Sequence, residues 1–357
     1  MQIDGHHTLT YVIARYAGYP HFQADKLAYC AQYVDEATNP NPVKFSNGAM
    51  FNRISSAHKM LDYRNTQQLA NHLAWIPFHF LPGNQNLPAG EVPHGSFIQR
   101  LICKPDSTVA RDMLKMVAQH KEQEYGLHLL GIAMHVYADT FAHQGFAGVS
   151  HAVNRVEDLT SSEHDLLDRV MTTVASWGLS NTLPLGHGGA LSFPDQPYAS
   201  WRYTNGLGED IERNNEEDFI RAANAMFQAL LCYRSNDPTM NLGAQPNLTQ
   251  EQQILLRKAF TEIRDEDGDV RHQQWLLLLS QGFFGFEPVE LEFHTSGSKS
   301  WKEIARGKPN YGYDNQVTYE FTPEFLDSDW KHFHDALKTY RLELIRDVLP
   351  KYGICVA

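Results

Sequence analysis

His135, Asp139 and His143 stand at four-residue intervals in the stretch HVYADTFAH. Residues four apart in an α-helix drift by about 40° and climb about 6 Å, so the three side chains share one face. The ladder rises about 12 Å, too far for both histidines to serve one ion comfortably. A central carboxylate bridging two ions, with one histidine on each, fits better, and two-metal phosphoesterase sites hold their ions about 3.5 to 4 Å apart. The flanking run GIAMHVYADTFAHQGFAG is otherwise apolar or small. Such a triplet also arises among satisfied core or surface groups, but three ionisable groups on a buried face need partners, and that favours metal binding.

The rest of the composition points the same way. There are 18 histidines among 357 residues, concentrated before residue 190, and histidine is a common ligand for zinc. No P-loop, dinucleotide fingerprint, HExxH or GxSxG is present, so nucleophilic-serine and cysteine mechanisms have no support. Cys30, Cys103, Cys232 and Cys355 are too scattered for a zinc knuckle or redox pair and read mostly as buried thiols. A net charge of −12 argues against an extended basic surface for nucleic acid, although bound cations would reverse the sign locally. The start MQIDGHHTLTYVIARY lacks the pattern of a secretory signal, and the longest greasy run, WLLLLSQGFFGF, is too short to span a bilayer. The expected location is cytoplasmic by default, with signal-independent export as the alternative.

Helical spacing predicts two helices over 8–36, broken at AGYP, and others over 66–74, 105–122 and 126–145, the last carrying the ladder. The segment SSEHDLLDRVMTTVASW has a Ser/Glu capping start and reads as a helix over 161–177. Further helices are expected over 214–234, 249–263, 268–282 and 323–348, with short extended runs and a polar insert between 283 and 322. Two long loops, WIPFHFLPGNQNLPAGEVPHG and LPLGHGGALSFPDQPYASWRY, carry histidine and aspartate. Loops of that length in a compact domain usually serve a site.

HVYADTFAH resembles the helix motif of the zinc-dependent phospholipase C group, particularly its glycosylphosphatidylinositol-cleaving branch, in which His-x-x-x-Asp-x-x-x-His donates to a cluster of zinc ions. The chain as a whole is similar to an uncharacterised bacterial family with an IDxHxxxTYVxAR-like start, a QYVD element, an IPFHFLPG loop and a GHG followed by PD. The enzyme group includes single-strand nucleases of plants and fungi on the same helical fold. The resemblance implies ligands at His6 or His7, with Asp4 beside them, at Asp35 in QYVDEAT and at His79 in PFHFLPG, for which His58 competes. It also implies His135, Asp139 and His143, and a closing pair. That pair is His187 with Asp195, preferred for its Gly/Pro context, or His164 with Asp168 in EHDLLD. Met1 lies several residues ahead of His6, which sets the chain apart from the group's terminal α-amino ligand.

Taken singly, His6, His79 and His187 also read as hydrogen-bonded loop histidines, and Asp35 as a helix-end residue. His120, His128 and His151 are candidates for supporting the ligands, whereas His332 and His334 in DWKHFHDALKTY read as surface helix residues. As a set, the imidazoles and carboxylates suit two or three Zn²⁺ ions, with Mn²⁺ or Fe as competitors. The expectation is therefore an all-α, phospholipase C-like domain spanning 1–357, with an irregular insert at 283–322. It would hydrolyse a phosphoester, with Asp139 bridging and Asp4 available as general base. The expected partner is a phosphoester, with a phospholipid headgroup and transient contact with a membrane surface in view. Nucleic acid is less favoured, and a non-catalytic, metal-stapled binding protein is the third reading.

Overall fold

In the computed structural model, residues 1–58, 67–161, 185–311 and 317–356 are described. A π-helical segment, Asp4–Leu9, runs directly into α1 (Thr10–Tyr16). The AGYP break ends it, and α2 (His21–Glu36) follows from Pro20 in extended geometry. Next come α3 (Gln68–Phe78), the short α4 (Phe97–Arg100) and α5 (Thr108–Ala118), whose N-cap Ser107 accepts the Ala110 N–H at 3.1 Å. Helix α6 (Gly126–Ala142) carries the ladder, and every residue from His128 to Ala142 is buried. A helix apolar all round belongs in the interior, and α6 packs against α2, α5 and the later α7 (Asn215–Arg234) and α11 (Asp329–Glu343). Between those two lie α8 (Gln250–Glu262), α9 (Gly268–Ser280) and α10 (Trp301–Arg306).

The most extensive helix pairing is α2 with α6, and Gly131 permits their close approach. A Cβ at that position would sit 2.5 Å from Cys30 Cβ and 2.8 Å from the Leu27 carbonyl oxygen. The absent side chain lets the two backbones touch.

The all-α expectation needs correction. Among the described residues the chain is mainly helical but also carries three small antiparallel sheets. Strands β1 (Val43–Lys44) and β2 (Met50–Phe51) form one, and β6 (Pro309–Tyr311) and β7 (Val317–Tyr319) another. The largest orders β3 (Val156–Ser161), β4 (Ser200–Asn205) and β5 (Asp210–Asn214), with Ser200 opposite Asn214 and Thr204 opposite Asp210. Its signal is the alternation in SWRYTN, where Trp201 and Tyr203 are buried and Ser200 and Arg202 exposed, followed by Asn205-Gly206 at a hairpin. Trp201 and Tyr203 close a second, smaller core over Phe80, Phe146 and Phe193.

Other boundaries shift too. The segment VELEFH forms no strand, and the 283–322 insert contains α10, β6 and β7 among its described residues. The last helix begins at Asp329, where Ser328 caps it, and continues through a π-helical turn, Leu344–Val348. The helix expected over 161–177 lies outside the described residues, except that Ser161 ends β3. Cys30, Cys103 and Cys232 are buried free thiols, and Cys355 is exposed. No helix among the described residues is long and apolar enough to cross a membrane.

Candidate metal centre

Four elements converge on one face of α6. His6 comes from the π-helical segment, Asp35 from the last turn of α2 and His79 from the C-cap of α3. His135 and Asp139 lie on α6, whose C-cap is His143, and His187 and Asp195 come from the loop ahead of β4. Three groups, the first two sharing His135, each have ligand atoms within 4.8 Å of one another: His6, Asp35 and His135; His79, His135 and Asp139; His143, His187 and Asp195.

Four of the imidazoles share one arrangement. His79 Nε2 faces the Ser56 carbonyl at 3.1 Å, and the Nδ1 atoms of His135, His143 and His187 face the carbonyls of Ala31, His79 and Leu191, each at 2.7 Å. A carbonyl only accepts, so each of these nitrogens is an N–H donor and the proton position is fixed by the fold. The other nitrogen of each ring points inward. His79 Nδ1 and His135 Nε2 meet at 3.2 Å, His143 Nε2 lies 3.3 Å from Asp195 Oδ1, and His187 Nε2 lies 3.6 Å from Asp195 Oδ2. An N–H held by a carbonyl while the opposite lone pair is aimed at a shared point is how proteins orient metal-binding histidines.

Asp139 joins the groups. Its Oδ2 lies 3.3 Å from His135 Nε2 and 3.4 Å from His79 Nδ1 and has no hydrogen-bond donor. Its Oδ1 lies 3.2 Å from His6 Nε2 and 2.5 Å from the Met1 nitrogen, which also lies 3.2 Å from Asp195 Oδ1 and 3.4 Å from His143 Nε2. Gly5 admits this fold-back, since a Cβ there would sit 2.9 Å from Met1 Cβ. His6 stacks on His135 with ring centroids 3.7 Å apart, and neither of its nitrogens has a hydrogen-bond partner.

The electrostatics describe a pocket built for positive charge. Burial opposes ionisation of Asp139, but His143, the Met1 amine, His6 and His135 hold its carboxyl well below the ordinary range. Asp195 is lowered in the same way, with burial opposed by the amine and His187. Burial works against a charge on the amine, yet Asp139 and Asp195 outweigh it and push its pKa up to about 11. Burial, His135 and the amine push His6 down to about 4, and burial lowers His187, so both rings are neutral and keep a lone pair for a cation.

Two buried arginines hold the frame. Arg213 on β5 donates to Asp218 at 2.8 Å and to the carbonyls of Phe141, Ala142 and Gln144 at 3.2, 3.1 and 3.4 Å, closing the C-terminus of α6 where His143 projects. Arg271 on α9 grips both oxygens of Asp4 at 2.6 and 3.1 Å, Gln2 at 2.7 Å and the Asp195 carbonyl at 3.4 Å, tying the N-terminal turn to the Asp195 loop. Asn215 fixes that loop from the other side through the Phe193 and Gln196 carbonyls, at 2.6 and 2.7 Å.

The model of a family of unknown function, DUF6765, matches residues 1–348. The chain belongs to that family. Neither the curated proteins nor the solved structures contain a match to it.

For this DUF6765 chain the geometry separates the candidate ligands. His6, Asp35, His79, His135, Asp139, His143, His187 and Asp195 are brought together. His7 is not: its ring turns away to His272, with His7 Nδ1 and His272 Nε2 at 2.9 Å, and to Phe293. Successive residues of a helix cannot share a face, so the His6–His7 choice resolves to His6. Asp4 is locked by Arg271 and is not available as a general base. His58 lines the cavity beside the groups but belongs to none of them, and His164 and Asp168 lie outside the described residues. The expected supporting role of three further histidines is corrected: His120 bonds Glu343, His128 bonds Asp329 and the His151 ring accepts the Val153 N–H. His332 and His334 are buried rather than surface residues. Sequence reasoning missed Arg213 and Arg271, which carry no local motif. It also missed the reach of Met1, whose only signal is the small Gly5 in IDGHH.

A cavity of about 250 Å³ opens onto the groups. Its described wall consists of Met1, members of the three groups, and Ala57, His58, Trp75 and Phe80, with no lysine or arginine.

Proposed function

We propose that the protein is a metal-dependent phosphoester hydrolase, phospholipase C-like in the way its histidines and aspartates surround one helix. The observation that carries this reading is the shared arrangement of His79, His135, His143 and His187, each donating outward to a carbonyl and turning its free nitrogen towards the ligand groups, with His79, His143 and His187 also lining the cavity. His135 Nε2 can serve one ion at a time, so the two groups that share it divide the remaining ligands His6, Asp35, His79 and Asp139 between them. The mixture of neutral imidazole and carboxylate suits Zn²⁺, with Mn²⁺ or Fe as competitors.

Even two divalent ions would outweigh the charges of Asp35, Asp139 and Asp195 and give a cationic pocket in a chain of net charge −12. Such a pocket suits a compact anion, and a phosphoester has oxygens enough to span neighbouring ions. Ions bound there would supply activation of water near neutral pH and stabilisation of charge on the phosphoryl oxygens. Asp139 holds the two halves of the site in register, while Trp75 and Phe80 add apolar surface to the cavity wall. A cavity of about 250 Å³ favours a headgroup or terminal phosphate over a polynucleotide backbone. Its opening beside the groups favours catalysis over a purely structural metal, which would be closed by protein ligands.

The deciding experiment is metal analysis of the purified protein together with hydrolysis of bis(4-nitrophenyl) phosphate by wild type and Asp139→Ala. Bound zinc and turnover in the wild type, both lost in the variant, support the reading. Metal without turnover on any model ester would leave a structural metal protein, and a metal-free wild type that takes up no ion would end the scheme.

A further inference from the structure

We propose that His58 donates the proton that the leaving oxygen of the phosphoester must receive, an assignment that rests on the hydrolase reading above. Every ionisable side chain in the described wall of the cavity except His58 belongs to one of the three ligand groups. A side chain bound to a cation has its lone pair occupied and cannot also protonate a departing alkoxide. Of the remaining wall residues, Ala57, Trp75 and Phe80 have no acid to offer, and the Met1 amine is held between Asp139 and Asp195 at 2.5 and 3.2 Å. A bond to phosphorus breaking in this cavity therefore has one side chain in its described wall that can neutralise the leaving group.

The backbone leading to His58 is held firmly. Ser56 donates its N–H to the Ala37 carbonyl at 2.9 Å and its hydroxyl to the Val34 carbonyl at 2.5 Å, and its own carbonyl accepts the His79 N–H at 3.1 Å. The His58 ring, buried, stands edge-on to Trp75 with centroids 6.1 Å apart, and Trp75 in turn lies 5.1 Å from the His79 ring. The same irregular segment thus orients a ligand and presents a proton donor to the same cavity, which is the fixed geometry general-acid catalysis requires.

The step balances as follows. A water oxygen forms the new bond to phosphorus and loses its proton to solvent. The ester P–O bond breaks with its electron pair remaining on the departing oxygen. His58 transfers a proton to that oxygen, releasing an alcohol, and regains one from solvent.

The test uses the metal-loaded full chain, wild type and His58→Gln, on two diesters of equal charge: 4-nitrophenyl methyl phosphate, whose phenolate departs unaided, and phenyl methyl phosphate, whose phenolate needs the proton. The expected result is unchanged metal content, a loss of about 100-fold on the phenyl ester and of about 3-fold or less on the nitrophenyl ester. A readout independent of turnover is the His58 ring signal of the ¹⁵N-histidine-labelled wild type, which should shift when inorganic phosphate is added. Loss of metal in His58→Gln would make His58 a ligand and overturn the proposal, as would equal losses on the two esters or a phosphate-insensitive ring. If the fully loaded wild type hydrolyses neither ester, the hydrolase reading falls and takes this proposal with it. The other adverse outcomes sink the role of His58 alone.

Discussion

His79 Nδ1 and His135 Nε2 face each other at 3.2 Å while the opposite nitrogen of each ring donates to a backbone carbonyl. Two imidazole lone pairs directed at the same point repel, and the carboxylate oxygen of Asp139 at 3.3 Å and 3.4 Å adds to the repulsion. A divalent cation relieves all three at once. His135→Ala should therefore lower bound metal by about one ion per chain, read by plasma mass spectrometry. Chelation of the wild type should lower its stability by about 2.7 kcal/mol relative to protein in free metal at a hundred times the dissociation constant. A chelated protein that melts at the same temperature as the loaded one would contradict the assignment.

Much of this arrangement can be read from residue order. His135, Asp139 and His143 were legible because a helix converts four-residue spacing into a shared face, and His79 and Asp195 because Pro- and Gly-rich loops carry polar residues there for a reason. The neighbours that hold them were not legible. Arg213 sits in a five-residue strand whose charge suggests a solvated surface, and its burial follows only from where β5 meets the end of α6. His7 and His6 are indistinguishable as letters and are separated only by the turn of the helix. The β4–β5 hairpin, in contrast, was present as alternation in SWRYTN and was hidden by the Gly/Pro-rich run before it.

Gly131 offers a test of whether the α2–α6 contact sets the site. A methyl group there would meet Cys30 Cβ at 2.5 Å, next to the Ala31 carbonyl that orients His135 one turn further along α6. Overpacking costs about 1–3 kcal/mol, and the better helix propensity of alanine offsets up to about 1 kcal/mol of it. Gly131→Ala should be destabilised by about 1–2 kcal/mol in urea unfolding and should bind metal more weakly than its stability alone explains. Wild-type metal affinity in this variant would show that the helix spacing does not govern the His135 ring.

His7 and His272 give the fold an acid-sensitive joint outside the site. Burial holds the His272 pKa at about 4 against an ordinary 6.5, and burial with the neighbouring His272 lowers His7 as well. Below pH 6.5 the unfolded chain takes up a proton at His272 that the folded chain refuses until about pH 4. Stability must then fall as pH drops through that window and level off beneath it, by on the order of 3 kcal/mol for His272. His272→Gln keeps a hydrogen-bonding partner for His7 and removes this titration. Its stability, measured by denaturant unfolding of metal-free protein, should decline less steeply than wild type between pH 6.5 and 4. Parallel curves would rule the joint out.

Arg213 separates support of the fold from support of the ligands. Replacing it with methionine removes the donors to the Phe141, Ala142 and Gln144 carbonyls and leaves Asp218, whose side chain is only 10% exposed, with the more exposed Arg221 at 3.2 Å as its remaining cationic partner. Breaking a buried pair costs up to about 3–5 kcal/mol, less where a second cation remains, and much of that returns when the partner also becomes apolar. Arg213→Met should therefore be strongly destabilised, and the double variant Arg213→Met with Asp218→Leu should recover much of the loss in thermal melts. Metal binding should not recover with it. His143 is the C-cap of α6, so the group it forms with His187 and Asp195 depends on the carbonyls that Arg213 fixes, whereas His79 and His135 lie further from that end. The double variant should accordingly retain one class of bound ion and lose about one ion per chain. Full metal content in a refolded double variant would reduce Arg213 to a packing residue and place the control of His143 elsewhere, in its own bond to the His79 carbonyl at 2.7 Å.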